Sequence, residues 1–255
     1  MPLGTYWPMT ASFAGVPSLQ ANGSAGLSGD DSPAGVSGRL EIVPDPTGVR
    51  GNVMMSRLFE GDAESGNGTR SEIADEPSDF AEYWYSFKMM FGDDWGDFLA
   101  PFSLCQLHDT PDGGDGLKTP TMMLAILSGH IRGIVPGTLP TENQMFNRSG
   151  CVGARAWHWY DVCIHANWKK SGVAGFREIF IDGVRIWGDV NQVTSYDDVA
   201  GPFFKIGVYE GLNATAGWAQ RTAYFSEVRV WSGAASYMDG MGRLPQPPAI
   251  VSHLL

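Results

Sequence analysis

The sequence is poor in basic residues, and this shortage limits the partners that the protein can bind. There are 17 Lys and Arg residues against 28 Asp and Glu, which gives a formal net charge of −11 at neutral pH. Nucleic-acid binding requires a basic surface that neutralises phosphates, so we expect no nucleic acid among the partners. An anionic ligand would need a locally basic groove within an otherwise acidic surface.

Long hydrophobic runs are also missing. The longest, Met122 to Leu127, has the length of a strand, whereas a membrane helix needs about 20 apolar residues. The first ten residues, MPLGTYWPMT, lack the basic region and the apolar segment of a secretory signal. We therefore expect no membrane association. The protein should be cytoplasmic until its release, or virion-associated or extracellular after cell lysis.

Cysteine is sparse, and the three cysteines lack the paired spacing of a metal site. We interpret Cys105, Cys151 and Cys163 as reduced thiols in the core. Two acid-rich segments, 92–94 and 109–115, could hold a structural Ca²⁺ through oxygen ligands, but they lack a regular ligand spacing. Solvated turns explain them better, and we expect that the protein requires no metal or organic cofactor.

The sequence is rich in glycine, proline and tryptophan, with 33, 16 and 9 residues respectively. Together with short apolar runs between turn residues, this composition is typical of strands, not helices. The Asp182-Gly183 pair predicts a tight hairpin, because a type I′ turn requires positive φ at both positions. The resulting pattern predicts an all-β sandwich or barrel. The predicted strands are 39–43, 53–60, 69–74, 82–91, 102–108, 121–127, 157–168, 177–181, 184–187, 202–209 and 222–231.

The two ends of the chain differ from its middle. Residues 1–35 are small, polar and rich in Gly and Ser, which predicts an N-terminal arm that attaches to an assembly partner and contributes little to the core. Residues 241–255 are interrupted by proline and predict an extended tail. The folded domain is therefore expected to span residues 36–240.

Polar residues recur on one face of four predicted strands. Side chains alternate between the two faces of a strand, so position decides which residues can share a groove. We expect one binding groove to contain the polar faces of these strands, which carry Arg70 and Glu72, Trp84 and Lys88, Gln106 and His108, and Lys205 and Tyr209.

Three segments on these strands resemble the motifs of a known family. RSEI at 70–73, QLH at 106–108 and FKIGVYEG at 204–211 resemble, in order, the R-S/T-E, Q-I/V-H and Y-F-K-A-G-x-Y motifs of jelly-roll polysaccharide lyases. Those enzymes include the alginate lyases and their glucuronan and heparin lyase relatives. The resemblance implies a concanavalin-like jelly-roll β-sandwich of two antiparallel sheets. It also implies cleavage of a uronate-containing acidic polysaccharide, which would be the partner of the groove.

β-Elimination at a uronate removes the C5 proton and expels the C4 oxygen, and these residues suit its steps. Charge that develops on the uronate carboxylate must be neutralised, and Arg70 and Gln106 are suitable donors. His108 and Tyr209 can serve as base and acid, or Tyr209 alone can serve as both if the two leaving groups lie on one side. Lys205 could lower the pKa of Tyr209 and attract the polyanion. The other substrate-binding candidates are Glu72, Trp84 and Lys88.

Two other functions fit the same fold. A carbohydrate-binding module or virion structural module could keep the sandwich without turnover, although binding alone does not need Arg, Gln, His and Tyr together. A retaining glycoside hydrolase would need two carboxylates about 5–5.5 Å apart. Glu178 and Asp182 flank a hairpin and do not form the strand pattern that such a pair requires. We rank the lyase first, the binding module second and the hydrolase third.

Overall fold

The computed structural model describes most of the middle of the chain, and this part is almost entirely β-strand. The described residues are 5–6, 38–62, 64, 68–96, 102–110, 118–136, 145–170, 172–211 and 217–232. A single 3₁₀ turn, Asp93–Trp95, accompanies the strands within these ranges. The strands are β1 Thr5–Tyr6, β2 Leu40–Pro44, β3 Asn52–Phe59, β4 Gly68–Pro77, β5 Glu82–Phe91, β6 Phe102–His108, β7 Met122–Leu127, β8 His130–Pro136, β9 Met145–Gly153, β10 Tyr160–Asn167, β11 Ala174–Ile181, β12 Val184–Val193, β13 Phe203–Gly211 and β14 Gln220–Ser232.

The strands form two antiparallel sheets. An eight-stranded sheet has the order β12-β11-β10-β5-β14-β3-β2, with β1 paired to β14. A six-stranded sheet has the order β4-β13-β6-β7-β8-β9. The predicted all-β sandwich of two antiparallel sheets is confirmed. In the part of the chain that the structure describes, no helix is long and apolar enough to cross a membrane.

The core lies between the sheets and contains alternate residues of each strand. Phe204 of β13 packs against Tyr85 and Phe87 of β5, with ring centroids 5.1 Å and 6.0 Å away, and all three residues are buried. Complete burial of one such side chain is worth about 1.5–3 kcal/mol. Because Phe204 faces the core, its neighbour Lys205 faces the outer side of the six-stranded sheet, as does Tyr209 four residues later.

Tight hairpins connect several neighbouring strands. The predicted turn at Asp182-Gly183 joins β11 to β12 with φ angles of 52° and 76°, which confirms that prediction. A similar turn at Ser128-Gly129, with φ angles of 51° and 78°, joins β7 to β8. β8 and β9 are absent from the predicted strands, because Gly133 interrupts the apolar alternation of β8 and a polar run, 147–149, interrupts the apolar residues of β9.

The N-terminal arm contributes one short strand to the fold. Thr5 and Tyr6 pair with Val230 and Arg229 of β14, so this part of the arm extends the eight-stranded sheet. The rest of residues 1–35 and the tail at 241–255 lie outside the described residues. The domain limits and the attachment of the arm to an assembly partner stay predictions.

Two of the three cysteines lie in the core as expected. Cys105 and Cys163 are buried free thiols, whereas Cys151 on β9 is exposed. Its prediction as a core thiol is wrong, because β9 was not recognised as a strand and its outward-facing positions could not be assigned.

A buried hydrogen bond between two aromatic side chains tests the core. The Trp168 indole N–H donates to the Tyr85 hydroxyl at 2.8 Å, and both residues are buried. Tyr85→Phe leaves this N–H without its acceptor, so we expect the free energy of unfolding to fall by about 1–3 kcal/mol. Tyr83→Phe is the control, because its hydroxyl accepts a hydrogen bond from the exposed Asp79 backbone N–H. Urea unfolding should show little change for this control, and equal losses in both variants would contradict the prediction.

Candidate active site

The candidate residues lie in a row on the outer face of the six-stranded sheet. β13 runs between β4 and β6, and its register places side chains of both neighbours beside its own. His108 and Tyr209 stand at opposite ends of this row on one face, where the sequence analysis expected a common groove. In order along β13, the pairs are His108 with Phe203, Gln106 with Lys205, Glu72 with Gly207, and Arg70 with Tyr209.

A buried carboxylate occupies the middle of the row. Glu72 and Lys205 are both 0% exposed, and Glu72 Oε2 lies 2.8 Å from Lys205 Nζ. Glu72 Oε1 accepts a hydrogen bond from Gln106 Nε2 at 2.7 Å. Because a carboxylate can only accept, the Gln106 amide must turn its NH₂ group towards Glu72. The sequence predicts direct substrate contacts for Glu72 and Lys205, but in this structure the two charges contact each other, and Glu72 also accepts the hydrogen bond from Gln106.

Gly207 allows β4 to approach β13 closely at this point. Its φ angle is 141°, and a Cβ atom added there would lie 2.7 Å from Glu72 Cα and closer still to the Ser71 carbonyl. A side chain at this position would therefore push the two strands apart. The absence of a side chain lets β4 lie close enough for Glu72 to reach Gln106 and Lys205.

Tyr209 is a protonated phenol next to a guanidinium group. The Arg70 Cζ atom lies 4.7 Å from the centre of the Tyr209 ring, within the range of a cation–π contact. Burial raises the pKa of Tyr209, the Arg70 charge opposes this, and the Glu72 charge adds to it. Lys205 pairs with Glu72, and the net shift of the Tyr209 pKa is upward, so a lowering of this pKa by Lys205 stays a prediction. Tyr209 is therefore protonated at neutral pH, as a proton donor must be.

His108 contacts the residue that follows it. Its Nδ1 atom lies 2.7 Å from Asp109 Oδ1 and 3.2 Å from the Asp109 carbonyl oxygen. The imidazole stacks on Phe203 with a centroid distance of 5.3 Å, and 25% of its side chain is exposed. The sequence predicts an acidic turn at Asp109 and not this contact, because consecutive strand residues ordinarily face opposite sides.

Trp84 and Lys88 do not belong to this row. Both lie on β5 of the other sheet, on the face opposite its core residues. Lys88 forms an ion pair with Asp161, and Trp84 stacks on His165 with ring centroids 3.5 Å apart. The prediction that they share the groove is wrong. Alternation assigns a residue to a face of its strand, but it does not say which sheet contains the strand.

β8 contributes a cation to this face that the sequence analysis did not find. The register runs across the sheet from Tyr209 through Ser103 and Ala125 to Arg132. Three strand spacings therefore separate Arg132 from Tyr209, or about 14 Å. No described residue accepts a hydrogen bond from the buried Nε atom of Arg132. This cation was missed because β8 itself was not predicted.

Neither acidic segment has the geometry of a metal site in its described part. Among the described residues, no three His, Cys, Asp or Glu side chains are grouped as metal ligands. The Asp94 carboxylate accepts hydrogen bonds from Gln220 Nε2 at 2.7 Å and Thr222 Oγ1 at 2.6 Å. Residues 111–117 lie outside the described ranges, so a Ca²⁺ ion bound there stays a prediction.

Comparisons with known proteins agree with this fold. A family model described as polysaccharide lyase matches residues 13–229. No curated protein sequence matches the chain.

Several solved structures resemble this chain in fold at sequence identities below 20%, and they confirm a jelly-roll β-sandwich. An endo-β-1,4-glucuronan lyase from the fungus Trichoderma reesei has a TM-score of 0.63 at 19% identity, covering 78% of this chain and 89% of that chain. Family 7 alginate lyase A1-II′ has a TM-score of 0.55 at 15% identity, covering 78% and 86%. Alginate lyase Aly36B has a TM-score of 0.56 at 12% identity, covering 78% and 85%.

The buried ion pair can be tested by removing one charge at a time. Glu72→Gln leaves Lys205 buried without its counter-charge, and Lys205→Met does the same to Glu72. We expect each change to lower the free energy of unfolding by about 3–5 kcal/mol. The double variant removes both charges and should lose less than the sum of the two. Urea unfolding measures all three variants.

An exposed ion pair provides the control for these variants. Glu227 pairs with Arg50, and 41% of the Glu227 side chain is exposed. Glu227→Gln should therefore cost less than about 1 kcal/mol. Strictly additive losses for Glu72→Gln and Lys205→Met would contradict a coupled buried pair.

Proposed function

This chain belongs to the polysaccharide lyase family, and we propose that it cleaves a uronate-containing acidic polysaccharide by β-elimination. The row along β13 supports this proposal, because a cation, an amide donor and two groups that can transfer protons lie on one face. These are Arg70, Gln106, His108 and Tyr209. Two of the structural relatives are named for glucuronan and alginate, which are both uronate polymers.

Arg70 and Gln106 are the proposed ligands of the uronate carboxylate. The guanidinium offers several donors, and the Gln106 NH₂ group has a second hydrogen beyond the one that Glu72 accepts. As the C5–H bond breaks, its electrons delocalise onto the carboxylate, whose hydrogen bonds to both donors become stronger. Losing one such donor typically lowers kcat about 10²–10³-fold.

His108 is the proposed base and Tyr209 the proposed acid. His108 takes the C5 proton, the electrons of that bond form the C4–C5 double bond, and Tyr209 protonates the departing C4 oxygen. The raised pKa of Tyr209 supports this assignment, because a protonated phenol can give a proton but cannot take one. These steps move protons and need no redox or organic cofactor.

The assignment of His108 as base and Tyr209 as acid predicts which uronate stereochemistry the protein prefers. Separate base and acid residues best suit guluronate or iduronate, where the C5 hydrogen and the C4 oxygen lie on opposite sides. Glucuronate or mannuronate would require Tyr209 to serve in both roles from one side. A substrate panel that contains polymers of both kinds therefore reports on the mechanism as well as on specificity.

Removing the Tyr209 hydroxyl tests the proposed acid. Tyr209→Phe should lower the rate about 10²–10⁴-fold and leave polysaccharide binding nearly unchanged, since only a hydroxyl is lost. Tyr224→Phe is the control, because burial also raises the pKa of Tyr224, which lies on β14 of the other sheet. The measurement is the ultraviolet absorbance of the unsaturated product from polyguluronate, polymannuronate and polyglucuronate. Equal rates for Tyr209→Phe and the wild type would remove Tyr209 from the mechanism.

The same panel separates the competing functions. Binding without product from any polymer would identify a carbohydrate-binding or virion structural module on this fold. Saturated fragments would identify a hydrolase. Only unsaturated fragments agree with the proposed elimination.

Arg70 and Arg132, which both lie on the outer face, should have separable effects. Arg70→Ala should lower kcat and weaken binding, because its guanidinium holds both the bound and the developing charge. Arg132→Gln should weaken binding of long chains with little effect on kcat, because Arg132 lies about 14 Å from Tyr209. Binding of the wild type should weaken with added salt, which screens local cations over about 10 Å at 0.1 M. Titrations with long and short oligouronates check this, and an Arg132→Gln variant with unchanged affinity for long chains would contradict it.

A further inference from the structure

Asp109 places two acceptor oxygens against one nitrogen of His108. The carboxylate oxygen Oδ1 is 2.7 Å from His108 Nδ1, and the Asp109 carbonyl oxygen is 3.2 Å from the same atom. Neither oxygen can donate, so a neutral imidazole must carry its proton on Nδ1 to interact with them. This leaves a lone pair on Nε2, the other ring nitrogen.

The burial of Asp109 gives this contact an energetic consequence. Asp109 is 0% exposed, and apart from the close approach of His108 Nδ1 to Oδ1 its carboxylate has no hydrogen-bond partner among the described residues. A buried carboxylate without donors is unfavourable unless a positive charge lies close by. The carboxylate oxygen Oδ1 therefore lies against the ring nitrogen that faces it, and no other cation among the described residues forms an ion pair with it.

Several other charged groups around this pair have partners of opposite charge. Asp198 is buried, lies 2.7 Å from Lys118 Nζ and accepts a hydrogen bond from the Thr110 backbone N–H. Burial raises the pKa of Asp198, with Lys118 opposing and the Asp109 charge adding to the rise. Burial also raises the pKa of Tyr196, and the Asp109 charge contributes. On β13 and β4, Lys205 pairs with Glu72. Asp75 lies on β4 between Ala74, which pairs with Lys205, and Pro77, which pairs with Phe203.

We propose that Asp109 is a positioning residue that holds His108 in the Nδ1–H tautomer and stabilises the imidazolium formed when Nε2 removes the C5 proton. The base role in this statement rests on the proposed function. The C5 proton moves to Nε2, and its bonding electrons form the C4–C5 double bond. Tyr209 gives its proton to the C4 oxygen, and the two side chains return to their starting states by exchanging one proton with water.

The isosteric variant Asp109→Asn removes the charge and can donate a hydrogen bond to Nδ1, which favours the wrong tautomer. We expect kcat to fall by about 10²–10⁴-fold with little change in KM. The acidic limb of the kcat/KM profile should move to lower pH, because the imidazolium loses its counter-charge. Asp45→Asn is the control: it alters a second buried carboxylate, in the turn after β2 of the other sheet, and it should leave the acidic limb in place.

A merely structural role for Asp109 would lower thermal stability without moving that limb. An Asp109→Asn variant with the kcat and the acidic limb of the wild type would therefore overturn the proposal. Both variants are compared at matched folded fractions, which circular dichroism measures.

The tautomer can also be measured in the unmodified protein. With ¹⁵N-labelled histidine, and with His108→Gln to assign the signals, neutral His108 should show a protonated Nδ1 and a free Nε2. A protonated Nε2 would overturn the proposal even if Asp109→Asn failed to fold. Absence of product from every polyuronate would overturn the proposed function instead, and the tautomer would still decide whether Asp109 positions the ring.

Discussion

The ion pair between Glu72 and Lys205 determines how β4, β13 and β6 meet at one edge of the six-stranded sheet. Both groups are out of contact with water, so each charge is tolerable only while the other stays beside it. Gln106 adds a hydrogen bond from β6 to the same carboxylate. Three neighbouring strands are thus held in one register, and Arg70, His108 and Tyr209 take their places in the row because of that register.

This arrangement also explains how an acidic protein can present a surface to a polyanion. Three acidic groups in or beside the row each lie against a cation or a group that can become one: Glu72 against Lys205, Asp198 against Lys118, and Asp109 against His108. Arg70 and Arg132 then lie on the outer face of the same sheet. The formal charge of −11 is a property of the whole chain, whereas a polysaccharide meets the local field.

Alternation along strands made the face of each β4, β6 and β13 residue predictable from sequence, and the core position of Phe204 beside Lys205 follows the same rule. Strand pairing over long sequence distances was not predictable, which is why Trp84 and Lys88 were assigned to the wrong sheet. The burial of Glu72 and Lys205 was also not predictable from sequence. Both are residue types that can bind substrate, and only the neighbouring strands remove them from solvent. The Asp109 contact depends on how the chain leaves β6, which the alternation rule does not describe.

The central claim is that this row performs elimination, and the masses of the products test it most directly. Mass spectrometry of oligosaccharides released from a defined polyuronate distinguishes elimination from hydrolysis. Elimination leaves a double bond at the new non-reducing end, so that fragment should be one water molecule lighter than its hydrolytic counterpart. Unsaturated fragments from the wild type, nearly lost in Tyr209→Phe, are the predicted result. Fragments of saturated mass, or no fragments from any uronate polymer that binds, would contradict it.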